Sequence, residues 1–151
     1  YNVYSGDLQM GSTTKRLCDA LLNADNIDSY FDNNADRIDI GVDLSEFLEE
    51  KLKESGLTRA ELFARSSINP SYGYQLLSGL RSPARDTAVQ LALGLSLGVD
   101  DTQKLLRMAK LGALYPRDRR DSIILFAISN GFTLPQTNEL LFSHSMNGLS
   151  K

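Results

Sequence analysis

The side chains in this sequence best suited to chemistry are arginines. Arg59, Arg65, Arg81 and Arg85 stand close together in the chain, and Arg117, Arg119 and Arg120 form a second cluster. A guanidinium offers a rigid fork of donors that matches phosphate or carboxylate. The second cluster has two readings: a phosphate or acidic-partner contact, or a helix start with local ion pairs of little energetic weight. The groups a catalyst would need are scarce. The one histidine, His144, excludes a multi-histidine metal site and reads as a surface or helix-end residue. The one cysteine, Cys18, excludes a disulfide framework and a four-cysteine zinc site. It lies on an apolar stripe and is expected to be a buried thiol acting as a small hydrophobe. No P-loop, dinucleotide fingerprint or nucleophile elbow occurs. The carboxylates are too dispersed to form a tuned acid–base pair. The expectation is a non-enzyme with no cofactor and no bound metal.

Charge locates the partner better than composition does. The chain has 151 residues and a net charge of −3, which by itself argues against a polyanion. Residues 1–56 hold 12 acidic and 5 basic side chains, whereas residues 57–120 hold 5 acidic and 10 basic. A basic stretch is hidden by an acidic first third, and such asymmetry points to a partner surface. No apolar run approaches the roughly 18 residues that span a membrane, and no stretch reads as a signal peptide. A cytoplasmic location without a membrane partner is expected. Met10 is a candidate native start.

The elements that must position these residues are all helical. The spacing predicts short helices over 13–22, with Leu17, Cys18, Leu21 and Leu22 as its stripe, and over 28–37, with Ile38 as a further apolar contact. A helix follows from Asp43 or Ser45 to Gly56, carrying Leu44, Phe47, Leu48 and Leu52 on one face. Thr58 and Glu61 form a capping box that starts the next, and Asn69-Pro70 starts another that stops at Gly79. Further helices are predicted over 84–97, 101–111, 118–129 and 134–143, with Thr133 as cap of the last. The helix over 118–129 is apolar almost all round, so it is expected to be buried centrally. A weak repeat relates Thr102, Leu105-Leu106, Leu111 and Leu114 to Thr137, Leu140-Leu141, Met146 and Leu149. It is either a duplicated docking unit or a coincidence of core spacing.

The segment Phe47 to Leu97 resembles the lambda-repressor-like, or XRE-family, helix-turn-helix. Leu57-Thr58-Arg59-Ala60-Glu61-Leu62-Phe63 follows the family's LTQEELA-like second helix. Ser67-Ile68-Asn69-Pro70-Ser71-Tyr72 follows the turn and the start of its recognition helix. Leu76-Leu77-Ser78-Gly79-Leu80-Arg81-Ser82-Pro83 carries the small helix end and the G-x-R-x-P. The region Asp43 to Leu149 also resembles bacterial regulator-like proteins with an added helical tail.

The resemblance implies an all-α chain: a five-helix helix-turn-helix domain over 43–99, preceded by an acidic segment over 1–42 with short helices and followed by a helical extension over 100–151, drawn as a hairpin. It implies a transcriptional regulator of bacterial or phage type, with the helix of about 69–79 in the major groove of duplex DNA. Arg59 stands at a glutamine position that touches backbone phosphate. Ser71, Tyr72 and Gln75 fall where recognition helices point into the groove, and a glutamine can pair with adenine through two hydrogen bonds. Asn69 and Ser78 mark the helix ends, where backbone contacts are usual, and Arg81 and Arg85 follow as phosphate ligands. Against these roles stand plain ones: Asn69 as a helix cap, Arg59 and Arg65 as solvated arginines, Tyr72 or Tyr74 as core filler. Gly73 departs from the family, which has Ile or Val there, and leaves space for a tyrosine. Pro70 replaces a residue that often reads a base. A homodimer is expected, with half-sites about 34 Å apart or at a multiple, and the C-terminal helices serve as dimer interface or protein dock. The alternative is a non-enzymatic interaction or adaptor module on a helix-turn-helix scaffold.

Overall fold

A computed structural model describes residues 15–33 and 43–150. Among the described residues every regular element is a helix and no strand occurs, so the chain is all-α. It divides into two compact units, Tyr1–Gly41 and Val42–Lys151. No helix among the described residues is long and apolar enough to cross a membrane.

In the first unit, α1 covers 15–22 and α2 Ile27–Asn33. The side chain of Asn26 accepts from the backbone N–H of Ser29 at 2.8 Å and starts α2. The expected extension of that helix to residue 37, and Ile38 as a contact, lie outside the described residues. Cys18 corrects its expectation, because it is exposed. The half-buried side of α1 is Leu17, Ala20 and, beyond its end, Ala24. That spacing follows the 3.6-residue turn and leaves Cys18, Leu21 and Leu22 outside.

The second unit holds α3 Leu44–Ser55, α4 Arg59–Ser66, α5 Pro70–Leu77, α6 Arg85–Gly94, α7 Val99–Met108, α8 Arg119–Ser129 and α9 Leu134–Ser143. Their starts are set locally. Asp43, Thr58, Asn69, Asp118 and Thr133 each accept a backbone N–H of the first turn. Thr58–Glu61 and Thr133–Gln136 are reciprocal capping boxes. Four connections follow one rule: a residue in the left-handed region, an apolar residue, then the next cap. They are Gly56-Leu57-Thr58, Ser67-Ile68-Asn69, Ser96-Leu97-Gly98 and Gly131-Phe132-Thr133, with φ of 74°, 52°, 56° and 70° at the first residue. In the last three, the apolar residue's N–H returns to a helix carbonyl at 2.9–3.0 Å, the closure of a Schellman-type end. The left-handed Ser96 also explains why α6 stops at Gly94, short of the predicted residue 97.

One apolar cluster runs from Phe47 to Leu149 and draws on every helix of this unit. Its centre is α6, where Ala88 to Gly94 are all buried. The expectation for 118–129 is thereby corrected: α8 buries Asp121, Ile124, Ala127 and Ile128, but Phe126 is 55% exposed. The place of a central helix is taken by α6, which packs on α4, α7 and α9.

The weak repeat is real in three dimensions, and it is longer than the leucine spacing indicates. The hydroxyl of Thr102 donates to the Gly98 carbonyl and that of Thr137 to the Thr133 carbonyl, both at 2.8 Å. Gln103 holds the backbone of Leu114, and Asn138 holds the N–H of Leu149. Lys110 and Ser145 both take left-handed backbone, with φ of 61° and 60°. Each pair is 35 residues apart, and so are Arg85-Asp86 and Arg120-Asp121 at the starts of α6 and α8. These two dipeptides pair crosswise. Arg85 donates to both carboxylate oxygens of Asp121 at 2.8 and 2.7 Å, and Arg120 to both of Asp86 at 2.9 and 3.0 Å. Arg85 also binds the carbonyls of Gly112 and Ala113, and Arg120 those of Asn147 and Gly148. Residue i of one hairpin meets j of the other, and j meets i. That is the contact pattern of a two-fold pair, here within one chain between α6–α7 and α8–α9.

The clasp makes stability depend on acid. Burial works against the charge of Asp121, but the Arg85 guanidinium and the Tyr115 N–H hold its carboxyl below the ordinary value near 3.8. A depressed carboxyl contributes stability that is present above its unfolded value and lost as pH falls through the folded one. The melting temperature of the protein is expected to fall as pH drops below about 4, and the Asp121→Asn variant to show a shallower fall. Equal acid slopes in the two proteins would contradict this.

Candidate nucleic-acid interface

The residues of α4 and α5 place the predicted contacts in two groups. Asn69, Ser71, Tyr72, Gln75, Ser78 and Arg81 come together along α5 and its C-terminal turn. Ser71, Ser78 and Arg81 are exposed, and Tyr72 and Gln75 half-buried. The Arg81 guanidinium lies 5.6 Å from the centre of the Tyr72 ring, a cation–π distance that steadies the arginine at the helix end. The turn itself is fixed by the Arg81 N–H, which donates to the Gln75 carbonyl at 3.2 Å. From Leu62 to Arg85 the chain contains no Asp or Glu, so no carboxylate on α5 opposes a phosphate.

Arg59 stands at the start of α4. One of its nitrogens donates to both carboxylate oxygens of Glu49 at 2.8 and 2.9 Å, in a pair whose side chains are 46% and 38% exposed. A cleft of about 490 Å³, lined among others by Glu49, Lys53, Thr58, Arg59 and Tyr74, joins this group to α5. Tyr74, 54% exposed, and Lys53 are therefore part of the surface that residue types alone did not single out. The signal for Tyr74 is its helical spacing, three residues after Ser71 and four before Ser78.

Arg85 does not join either group. Its donors are spent on Asp121 and on the Gly112 and Ala113 carbonyls, so the basic stretch loses it as a free cation. Arg120 is committed in the same way to Asp86, which decides part of the second arginine cluster for internal pairing; Arg117 and Arg119 are exposed. Arg65 is exposed and donates to the Ser96 hydroxyl at 2.8 Å.

The helix starts are also less open than free amides would be. Asn69 accepts from the N–H groups of Ser71 and Tyr72, and Thr58 accepts from that of Glu61. The Thr58 N–H in turn donates to Glu61 and is the main cause holding that carboxyl below its ordinary value. An anion at this surface would therefore meet side chains rather than these helix-end amides. Gly73 receives a definite explanation: a Cβ there would overlap the Phe63 ring. The space expected for a tyrosine belongs to Phe63, and Tyr74 packs edge-on against it from outside, with ring centres 5.2 Å apart.

Comparison with known proteins finds no family whose model matches this chain, and no curated protein or solved structure that is similar to it.

Proposed function

We propose that this chain is a non-enzymatic, sequence-reading DNA-binding regulator of bacterial or phage type, acting in the cytoplasm, with α4 and α5 as a lambda-repressor-like helix-turn-helix. The observation that carries this reading is the outer face of α5, where Ser71, Tyr74, Gln75 and Ser78 line up at helical spacing and Arg81 closes the end. A helix of this size fits the major groove. Gln75 supplies the amide that can read adenine. Arg81 and Arg59 supply phosphate contacts; Arg59 leaves Glu49 at small cost, since an exposed ion pair is worth about 0–1 kcal/mol. Arg85 is excluded from the contact set and acts as a structural staple. Two copies on a two-fold operator would double the short half-site that one α5 can read.

Selection from random duplexes with the full chain tests this. An enriched motif is expected, with affinity falling as salt rises. Gln75→Ala is expected to relax preference at one base pair by about 1–3 kcal/mol. Arg81→Ala is expected to weaken all sequences alike and to lower the salt slope by about 1. If selection returns no motif and binding does not depend on salt, the adaptor reading replaces this one.

A further inference from the structure

A cavity of about 340 Å³ opens between the end of α4, the start of α9 and α6. Its walls are apolar: Ala64 on α4, Leu93 on α6, and Leu134 and Pro135 on α9. Leu93 and Leu134 are core residues. Arg65 and Ser67 stand on its α4 side. Arg65 donates to the Ser96 hydroxyl at 2.8 Å, which uses one of the five N–H groups of a guanidinium. Among the described residues no carboxylate lies within ion-pair distance of Arg65, and no Asp or Glu lines the cavity. Glu61, one turn earlier on α4, accepts from the Thr58 N–H. Carbonyls at the end of α4 are engaged as well, that of Ala64 by the Ser67 N–H and that of Ser66 by the Gln90 amide. An apolar interior is thus combined with an unpaired guanidinium at its edge.

We propose that this cavity binds a small organic monocarboxylate, with its hydrocarbon body against Leu93, Leu134 and Pro135 and its carboxylate on Arg65 and the Ser67 hydroxyl. Charge and shape both favour that class. A planar carboxylate matches the guanidinium fork through two parallel hydrogen bonds. Its single charge is balanced by one arginine, whereas a phosphate dianion would be left half neutralised. An amine would meet a cation and no carboxylate, and a neutral hydrocarbon would leave the guanidinium unpaired. The volume lies at the small end of ligand pockets, about 300–1,000 Å³, and limits the body to a short chain or a single ring. Through Ser67, whose left-handed backbone ends α4, the ligand would touch the turn that leads into α5. The site uses no residue of α5, so it does not require the DNA reading, and it is measured without DNA.

Titration calorimetry of the full chain with octanoate, and separately with hydrocinnamate, is expected to show one-to-one binding of at least one of them with a Kd of about 1 mM or tighter. Octanol and octylamine keep an apolar body without the negative charge, and acetate keeps the charge without the body. Each is expected to bind at least about 10-fold more weakly. Arg65→Gln retains a side chain able to reach Ser96 but removes the cation, and is expected to weaken the acid by about 10-fold or more. Ala64→Phe fills the cavity from its wall and is expected to block it. Ala64 and Arg65 are both exposed, so the helical circular dichroism and melting temperature of the two variants are expected to stay as in the parent. Absence of saturable binding by both acids, octanol bound as tightly as the acid, or an acid bound equally well by Arg65→Gln would overturn the proposal.

Discussion

Replacing Asp121 by alanine is expected to destabilise the Val42–Lys151 unit by about 3 kcal/mol, the lower end for breaking a buried pair from one side. The side chain of Asp121 is 8% exposed and that of Arg85 33%, so the stranded guanidinium keeps some solvent. The Tyr115 N–H, which donates to Asp121 at 3.0 Å, is stranded as well. For a unit of this size the loss corresponds to a fall in Tm of roughly 10–20 °C, read by thermal circular dichroism. The symmetric contact is expected to matter much less. Asp86 is 42% exposed, so Asp86→Ala is expected to cost about 1 kcal/mol or less. A double replacement, Arg85→Met with Asp121→Leu, is expected to regain part of the loss, because no charge is left unpaired. It cannot regain all of it, since the Gly112 and Ala113 carbonyls lose their donor. An Asp121→Ala protein that melts within a few degrees of the parent would show that the clasp is decorative.

Phe63→Ala is expected to be the other large effect, about 3–5 kcal/mol for a buried aromatic removed from a core. Phe63 is 2% exposed and its ring fills the space over Gly73. Phe63 and Gly73 therefore share one volume between α4 and α5. Gly73→Val alone is therefore expected to overpack the site at about 1–3 kcal/mol, in spite of the better helix propensity that glycine gives up. Combined with Phe63→Ala it is expected to restore at least about 1–2 kcal/mol, since residues in contact couple by 0.5–3 kcal/mol. Strictly additive losses in denaturant unfolding would separate the two positions and remove this explanation of Gly73.

The resulting surface is narrower than the charge count suggested. Residues 57–120 carry 10 basic side chains, but two of these arginines, Arg85 and Arg120, are neutralised inside the molecule. What remains near α5 is Arg81, with Arg59 lightly held by Glu49 and Lys53 across the cleft. Residues 57–120 remain the basic stretch of the chain, yet the individual residues differ in what they can offer.

The sequence by itself determined where most of the helices begin. Thr58 with Glu61, Asn69 before Pro70 and Thr133 act within three or four residues, so their hydrogen bonds are present in any fold that keeps the local backbone. The four turns at Gly56, Ser67, Ser96 and Gly131 are local in the same sense, although a left-handed serine is hard to foresee because serine carries a Cβ that disfavours it. Tertiary structure alone decided which arginine is free, which ring fills Gly73 and which apolar face of α8 meets solvent. Arg85 and Asp121 are 36 residues apart, and Ser66 and Gln90 are 24. Such partners are chosen by how helices cross, and a pattern along the chain does not contain that choice. Half of the repeat was legible, because leucine spacing repeats with the helices. Its Arg-Asp half became visible only when the two hairpins were placed face to face, where identical dipeptides exchange their charges across a two-fold axis.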